Sequence, residues 1–181
     1  MKIQLDAGTH GRHGRALAAA FGLCLLQAVG AIAQTAPAIP AKSGDAAGTV
    51  QAGKTIVTLK HAYALGPMER GGQVYQIMLT DGPVPSDAVA KELALGGGQS
   101  LLRSSKLSGI TLLVDSTGFV RTVVPFIGDI RGSQVLASAG KLDSFAVTPT
   151  GITGQGSKGT ADTMGQGWSY AASWSAAVTK P

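Results

Sequence analysis

Three aromatic residues near the C-terminus, Trp168, Tyr170 and Trp174, have a spacing that could form a binding surface. Side chains alternate between the two faces of a β-strand, so the three rings share one face while serine and alanine occupy the other. Such a face either packs in a core, where each ring buries about 150–250 Å², or stacks on sugar rings or an apolar peptide. The serines favour solvent behind the strand and therefore favour core packing for the rings.

His61 is the only histidine outside the first 33 residues, so it is the one candidate imidazole for acid–base chemistry. Nucleophilic catalysis needs a nucleophile, a base and an orienting group in contact, and a histidine within a strand is more often a packed residue. The carboxylates are scattered, and several occupy predicted turns, where aspartate bonds to its own backbone. We therefore predict no catalytic residue and expect a protein that is not an enzyme.

The chain carries no recognisable motif for a metal ion or a cofactor. Cys24 is the only cysteine, and neither a His-Glu-x-x-His sequence nor a calcium-binding loop is present. The glycine run at 96–98 lacks the Lys-Ser/Thr of a phosphate-binding loop. Beyond residue 33 there are 12 Lys and Arg against 9 Asp and Glu, a formal charge of +3 compared with +5 for the whole chain. These basic residues are dispersed, so we expect no metal, no cofactor and no nucleic-acid partner.

Residues 1–33 have the composition of a secretory signal peptide. Arg12 and Arg15 precede an apolar run at 16–26, and the small-x-small sequence Ala-Ile-Ala follows at 31–33. The run is too short to cross a bilayer, which takes about 20 residues. We predict cleavage after residue 33 and export to the periplasm or the medium. The mature chain would then keep neither a cysteine nor a transmembrane segment.

The rest of the chain divides into a linker and one domain. Residues 34–53 are small, contain proline and glycine, and show no period, which predicts a flexible linker. Residues 54–181 are long enough for a single β-rich domain without disulfides. Alternation predicts strands at 55–65 and 73–80, joined as a hairpin, with Gly66-Pro67 ending the first of them. The residues of the first strand predicted to face inward are Val57, Leu59, His61, Tyr63 and Leu65.

Two further features have clear local signals. A serine N-cap and a run of three glycines bracket a helical pattern, which predicts a short helix at 86–95. The sequence Asp-Ser-Thr-Gly at 115–118 fits a type I turn between strands at 110–114 and 119–127. Pro125 cannot donate to a β-ladder, so the second of these strands is at an edge or bulged there.

The remaining pattern indicates a mostly-β fold. Short strands are predicted at 133–137, 144–148 and 158–164, ahead of the aromatic strand, and the glycines between 151 and 167 predict tight loops or bulges. Short strands with turn signals about every 8–12 residues favour a β-sandwich, immunoglobulin-like or related but without a disulfide, with a small β-barrel as the alternative. This layout resembles that of small exported proteins of Gram-negative bacteria.

These observations lead to one principal functional expectation and two alternatives. The principal one is an exported, non-enzymatic β-domain that acts through contacts with an unknown protein or envelope component. The first alternative is a carbohydrate-binding module that uses Trp168, Tyr170 and Trp174. The second is a small hydrolase that uses His61 or a carboxylate pair assembled by the fold.

Overall fold

The computed structural model describes residues 35–69, 72–85, 87–89, 91, 106–127, 130–131, 136–163 and 166–180. Contacts divide the chain into two units, 1–30 and 31–181, and every described residue belongs to the second. The predicted signal peptide at 1–33 therefore lies outside the described residues. Within the described ranges, no helix is long and apolar enough to cross a membrane.

Eleven strands in the described part of the chain form one predominantly antiparallel sheet, which curls into a half-barrel. In chain order the strands are β1 (Asp45–Ala52), β2 (Thr55–Thr58), β3 (His61–Glu69), β4 (Gln73–Thr80), β5 (Gly109–Asp115), β6 (Phe119–Ile127), β7 (Ile130–Arg131), β8 (Leu136–Lys141), β9 (Ser144–Val147), β10 (Gly151–Thr163) and β11 (Gln166–Thr179). The mostly-β prediction is confirmed. A sandwich of two sheets is not found, and the curl fits the barrel alternative.

The chain itself links the two edges of the curled sheet. The hydrogen-bonded order is β7-β6-β5-β4-β3-β1-β11-β10-β9, with β2 attached to β1 and β8 attached to β6. Only Leu142 and Asp143 separate β8 on one edge from β9 on the other. Leu142 is buried inside the curl, and its N–H donates to the Gly118 carbonyl oxygen at 2.9 Å. This covalent connection therefore holds the two edges near each other.

Two apolar clusters lie on opposite faces of the sheet. The inner cluster fills the inside of the curl, and its largest members are Trp168, Tyr170 and Trp174. The outer cluster lies on the other face; its buried members are Leu65, Met78, Val84, Val89, Val124 and Phe126. Residues 87–89 and 91 are helical, and they bring Val89 onto the outer cluster. The rest of the predicted helix at 86–95 lies outside the described residues.

The predicted strand at 55–65 is two strands, because the chain bends between β2 and β3. The Leu59 N–H donates to the Gly48 carbonyl oxygen of β1 at 2.9 Å. The next groups that bond toward β1 belong to even-numbered residues: the Lys60 carbonyl oxygen accepts from the Ala46 N–H at 2.9 Å, and the Ala62 N–H donates to the Gly44 oxygen at 2.8 Å. The bend therefore changes which side chains beyond it face inward.

Val57 and Leu59 join the inner cluster as predicted. Beyond the bend, Ala62 and Ala64 take the inward positions instead of the odd-numbered residues. The prediction is wrong for His61, Tyr63 and Leu65. Side chains keep alternating between the same two faces only while the strand is regular. The irregularity after Leu59 shifts that alternation by one residue.

The glycine–proline pair in β3 forms a bulge rather than a strand end. The strand continues through the cis peptide Gly66–Pro67 to Glu69, and the register with β4 shifts between Leu65 and Met68. The prediction that this pair ends the strand is therefore wrong. The bounds of β4, Gln73–Thr80, agree with the predicted strand at 73–80.

The hairpin between β5 and β6 is confirmed. The Asp115 carboxylate accepts hydrogen bonds from the N–H groups of Thr117 at 2.9 Å and Phe119 at 3.1 Å. Gly118 has φ +83°, a conformation that glycine adopts without a steric penalty. Pro125 lies between the part of β6 that pairs with β8 and the part that pairs with β7, which agrees with a local edge position.

Two segments interpreted as irregular are strands. β1 lies within the predicted linker at 34–53 and pairs with β11 over its whole length, so the linker prediction is wrong there. β10 is a single strand of 13 residues with a bulge between Lys158 and Ala161. The predicted bulge is therefore found, but the predicted loops and the separate strand at 158–164 are not. The prediction at 144–148 corresponds to β9; of the prediction at 133–137, residues 136–137 belong to β8 and residues 133–135 lie outside the described residues.

Candidate functional site

The aromatic residues of β11 point into the inner cluster. Trp168 and Tyr170 are each 1 % exposed, and Trp174 is 0 % exposed. The rings of Trp168 and Tyr170 are nearly parallel, with centroids 6.3 Å apart and an interplanar angle of 11°. Trp174 lies opposite Gly154 of β10, and a Cβ atom at that glycine would overlap the indole ring. The curl of the sheet therefore encloses all three rings.

Burial removes the surface that the carbohydrate-binding alternative requires. A stacking platform needs an aromatic face open to solvent, and none of these three rings has one. The rings of Trp168, Tyr170 and Trp174 pack in the core, as the alternation favoured, and the alternative of an exposed platform is not found. For Trp174, burial depends on the space that Gly154 leaves on the neighbouring strand.

The buried aromatics still carry polar atoms with chemical consequences. Within the described ranges, the indole N–H groups of Trp168 and Trp174 have no hydrogen-bond partner. Leaving a buried donor unpaired costs about 1–3 kcal/mol, so the apolar packing of the rings must outweigh that cost. Burial, together with the negative charge of Asp143, raises the pKa of Tyr170 to about 12.

His61 lies at the start of β3, half-buried, opposite Thr80 of β4 and Asp45 of β1. The register thus brings one carboxyl-bearing residue to the position across from the histidine. Among the described residues, no group of three or more His, Cys, Asp or Glu side chains could hold a metal ion. The hydrolase alternative stays a prediction.

Two of the carboxylates accept hydrogen bonds from backbone N–H groups, Asp115 within its own turn as expected and Asp81 from a segment 27 residues away. The Asp81 carboxylate accepts a hydrogen bond from the Ser108 N–H at 3.0 Å. Burial acts to raise the pKa of Asp115, but hydrogen bonds from Thr117 and Phe119 and the charge of Arg121 outweigh it and lower that pKa. These interactions explain why aspartate occupies both positions without invoking catalysis.

A cleft of about 210 Å³ lies beside β3, and we call it the C-terminal cleft. Tyr63 and Val89, which belong to or pack against the outer cluster, line it together with Ala177 and Thr179 from the end of β11. Ser43 lies at its border just before β1. Ala62, Ala64 and Gly44 complete the lining. Because the side chains of Ala62 and Ala64 point into the inner cluster, these residues present mainly backbone to the cleft.

The strand topology creates this cleft. β3 pairs with β1 only at its first residue, His61, and farther along it pairs in parallel with the end of β11 at Ala64 and Leu65. The Ala62 N–H still donates to the Gly44 carbonyl oxygen at 2.8 Å, just ahead of β1. The cleft therefore lies where β3 exchanges one neighbouring strand for another, a place where a regular ladder is interrupted.

The chemistry of the cleft is that of an uncharged, mainly apolar site. None of its described lining residues carries a charge. The Tyr63 hydroxyl is held in place by accepting a hydrogen bond from the Val84 N–H at 2.8 Å. The side chains of Ser43 and Thr179 add exposed hydroxyl groups. The site can therefore accept an apolar group and offer hydroxyls to its polar neighbours.

A second feature that the sequence pattern missed is a covering segment on the outer face of β10 and β11. Residues 35–40, which we call the N-terminal strap, contribute two carbonyl oxygens to that face. The Gln155 side-chain amide donates to the Ala36 oxygen at 3.0 Å, and the Ser173 hydroxyl donates to the Ala38 oxygen at 2.7 Å. Ser173 is fully buried as a result, although its face was expected to be open to solvent.

Neither the cleft nor the strap could be located from the amino-acid sequence. The cleft combines residues from positions 43–44, 62–64, 89 and 177–179, which alternation treats as separate segments. The only sequence signal for the strap is its two prolines, Pro37 and Pro40, which favour an extended backbone whose carbonyls remain free to accept. Comparison with models of protein families, with curated proteins and with solved structures gives no match.

Proposed function

We propose that this chain is an exported, non-enzymatic domain that acts by binding another protein or a component of the cell envelope. The observation that supports this most is the C-terminal cleft, with its volume of about 210 Å³ and its uncharged lining. An engineered protein cavity of about 150 Å³ takes up benzene. The cleft is therefore large enough for one aromatic or branched aliphatic side chain of a partner.

The distribution of apolar surface also supports binding from outside. The inner cluster fills the inside of the half-barrel with aromatic rings, whereas the cleft lies beside the outer cluster. Binding sites commonly combine an apolar centre with a few polar groups at the border. Ser43, Tyr63 and Thr179 supply such groups around the apolar Val89 and Ala177.

The main experiment fills the cleft and leaves the fold intact. Ala177 is exposed, so Ala177→Trp places an indole at the cleft without displacing core atoms. Ala146→Trp is the matched control, because Ala146 is an exposed alanine in β9 that does not line the cleft. Both variants and the unmodified chain, each beginning at Gln34, are immobilised and incubated with envelope extracts after circular dichroism confirms folding.

We expect one or more envelope components to bind the unmodified chain and Ala146→Trp but not Ala177→Trp. If all three proteins capture the same components, the cleft is not the binding site. If the mature chain instead turns over a substrate and captures nothing, the non-enzymatic proposal is wrong.

Export is proposed from the order of basic, apolar and small residues at 1–33. It is tested by expressing the whole chain in a Gram-negative host and determining the N-terminus of the protein in the periplasmic fraction and in the medium. We expect that N-terminus to be Gln34. Retention in the cytoplasm with residues 1–33 attached would contradict the proposal.

A further inference from the structure

We propose that the outer edge of β2 binds an extended acidic peptide as an added strand. The inference goes beyond the proposed function, because it names a different surface and the chemistry of its partner. It does not depend on the C-terminal cleft, so the two proposals can fail separately.

The first observation is that β2 has one unpaired edge. Among the described residues it pairs only with β1. Its hydrogen bonds to β1 alternate, and the Leu59 N–H, which donates to the Gly48 oxygen, sets the phase of that alternation. Residues 55 and 57 therefore bond to β1, and Ile56 and Thr58 direct their N–H and C=O groups away from it.

The second observation explains why this edge has no strand beside it. The Lys60 N–H donates to the oxygen of Thr80, the last residue of β4, at 2.8 Å. The Asp81 N–H extends the β4–β5 ladder by donating to the Ser108 oxygen at 3.0 Å, and the chain bends at Asp81 and Gly82. β2 thus continues beyond the end of β4, and in the described structure the next position in the sheet is not occupied by a strand.

The third observation is the exposure of the side chains along this edge. Ile56 is 62 % exposed, the highest value among the exposed large hydrophobic residues of the described chain. Its neighbours Thr55 and Thr58 are also exposed, whereas Val57 points into the inner cluster. In strand addition, backbone hydrogen bonds supply affinity and alternate side chains supply specificity. Ile56 is placed to make the apolar contact with such a strand.

The charged residues beside the β2 edge indicate which kind of partner strand would bind there. The exposed cations Lys54 and Lys60 flank the edge, and neither forms an ion pair with any carboxylate in the described ranges. Antiparallel pairing of two copies about Val57 would bring Lys54 of each copy close to Lys60 of the other, beside the end of β4, where Thr80 already accepts the Lys60 N–H. Like charges directly opposite each other destabilise a strand pair, and edge lysines commonly prevent self-association. The edge therefore favours a partner that carries carboxylates over a second copy of this chain.

The test uses a peptide designed for this spacing. In Glu-Ser-Thr-Ser-Val-Ser-Glu, the two carboxylates are six residues apart, as are Lys54 and Lys60. The peptide is titrated into the ¹⁵N-labelled chain that begins at Gln34, and amide shifts and hydrogen exchange are measured. We expect the amides of Ile56 and Thr58 to shift and to become protected. The same peptide with lysine at both glutamate positions is the control and should not bind.

Three variants and one control variant distinguish the contribution of the backbone hydrogen bonds from that of the lysine charges. Ile56→Pro removes an N–H that bonds nothing within the sheet, so the fold should survive while affinity for the peptide falls by about tenfold or more. Ile56→Ala keeps that N–H and should weaken binding less. Lys60→Glu should weaken binding several-fold, whereas Lys141→Glu, at another exposed lysine, should leave it within about twofold.

Several results would overturn the inference. These are unchanged Ile56 and Thr58 amides, equal binding of the basic peptide, or full binding by a folded Ile56→Pro variant. A concentration-dependent dimer that Ile56→Pro abolishes would identify a second copy as the occupant and would contradict the acidic partner. Loss of peptide binding in Ala177→Trp but not in Ile56→Pro would show that the peptide binds in the C-terminal cleft. That result would overturn this inference and retain the proposed function.

Discussion

The two faces of the β10–β11 strand pair are both covered, but by opposite means. On the inner face, Trp174 of β11 packs over Gly154 of β10, and the indole N–H groups of Trp168 and Trp174 have no partner among the described residues. On the outer face, the side chains are small, and the N-terminal strap covers them through hydrogen bonds from Gln155 and Ser173. Apolar packing therefore stabilises the inner face, and hydrogen bonds hold the N-terminal strap on the outer face.

This difference shows that alternation predicts where a side chain points but not what covers it. Both faces are made of alternate residues of the same two strands. The inner face is covered because the sheet curls around it, and the outer face is covered at Ser173 because a distant segment crosses it. The two kinds of covering should respond very differently to substitution.

The largest effect is expected for Trp174→Ala. Emptying a fully buried tryptophan site should lower the free energy of unfolding by about 3–5 kcal/mol. The measurement is urea denaturation of the mature chain, and Val147→Ala, at a partly exposed position, is the control. A loss below about 1 kcal/mol would mean that the inner face does not depend on ring volume.

The alkaline stability of the protein tests Tyr170 on the same face. Its pKa of about 12 exceeds the ordinary value of 10.0 because burial, assisted by the charge of Asp143, disfavours the ionised phenol. A raised pKa means that the folded state favours the neutral phenol. The contribution of Tyr170 to the free energy of unfolding is therefore complete below pH 10 and is lost as pH rises toward 12. Its full size is about 2–3 kcal/mol. Unfolding free energies at pH 9–12.5 should fall less steeply for Tyr170→Phe, and identical slopes would contradict the assignment.

Gly154→Val tests the space beneath the indole. The new side chain would overlap the Trp174 ring, and overpacking of this kind costs about 1–3 kcal/mol. Ser157→Val, at an exposed position of the same strand, should change stability by less than about 0.5 kcal/mol. In the background of Trp174→Ala, the cost of Gly154→Val should shrink, and an unchanged cost would show that the two residues are not coupled.

The smallest effect is expected on the outer face. Ser173→Ala removes the hydrogen bond to the Ala38 oxygen and should cost about 1 kcal/mol. It should also increase hydrogen exchange and proteolytic cleavage within the strap, whereas Trp174→Ala should unfold the whole domain at lower urea. Ser169→Ala, at a half-buried position of the same face, is the control. Equal effects of the two serine substitutions would mean that the strap is held by something else.

Local patterns were sufficient for several elements of the fold. The strand at 73–80, the turn at 115–118 and the aromatic strand ending the chain are all found. Each depends on interactions within a few residues, such as a carboxylate that bonds to its own turn or a side chain that alternates along one backbone. The two tryptophans therefore share a face in both the prediction and the structure.

Elements that depend on a distant partner could not be predicted in this way. Residues 45–52 are small and irregular in composition, and they form β1 because β11 and β2 supply hydrogen bonds on both sides. The glycines of β10 look like loop residues until Trp174 and Leu142 are seen to occupy the space above them. The candidate site combines residues up to about 136 positions apart, from Ser43 to Thr179, so no local pattern contains it.

The amino-acid sequence by itself determined that the chain is mostly β, which strand carries the rings and where its clearest turn lies, because backbone geometry imposes these locally. The tertiary structure alone decided that the sheet curls as one layer, that a bend after Leu59 reassigns the inward residues, and that the rings are enclosed. The physical reason is that register and curvature arise from hydrogen bonds between segments far apart in the chain. The surfaces proposed here for binding, the C-terminal cleft and the edge of β2, both lie where one of those long-range ladders ends.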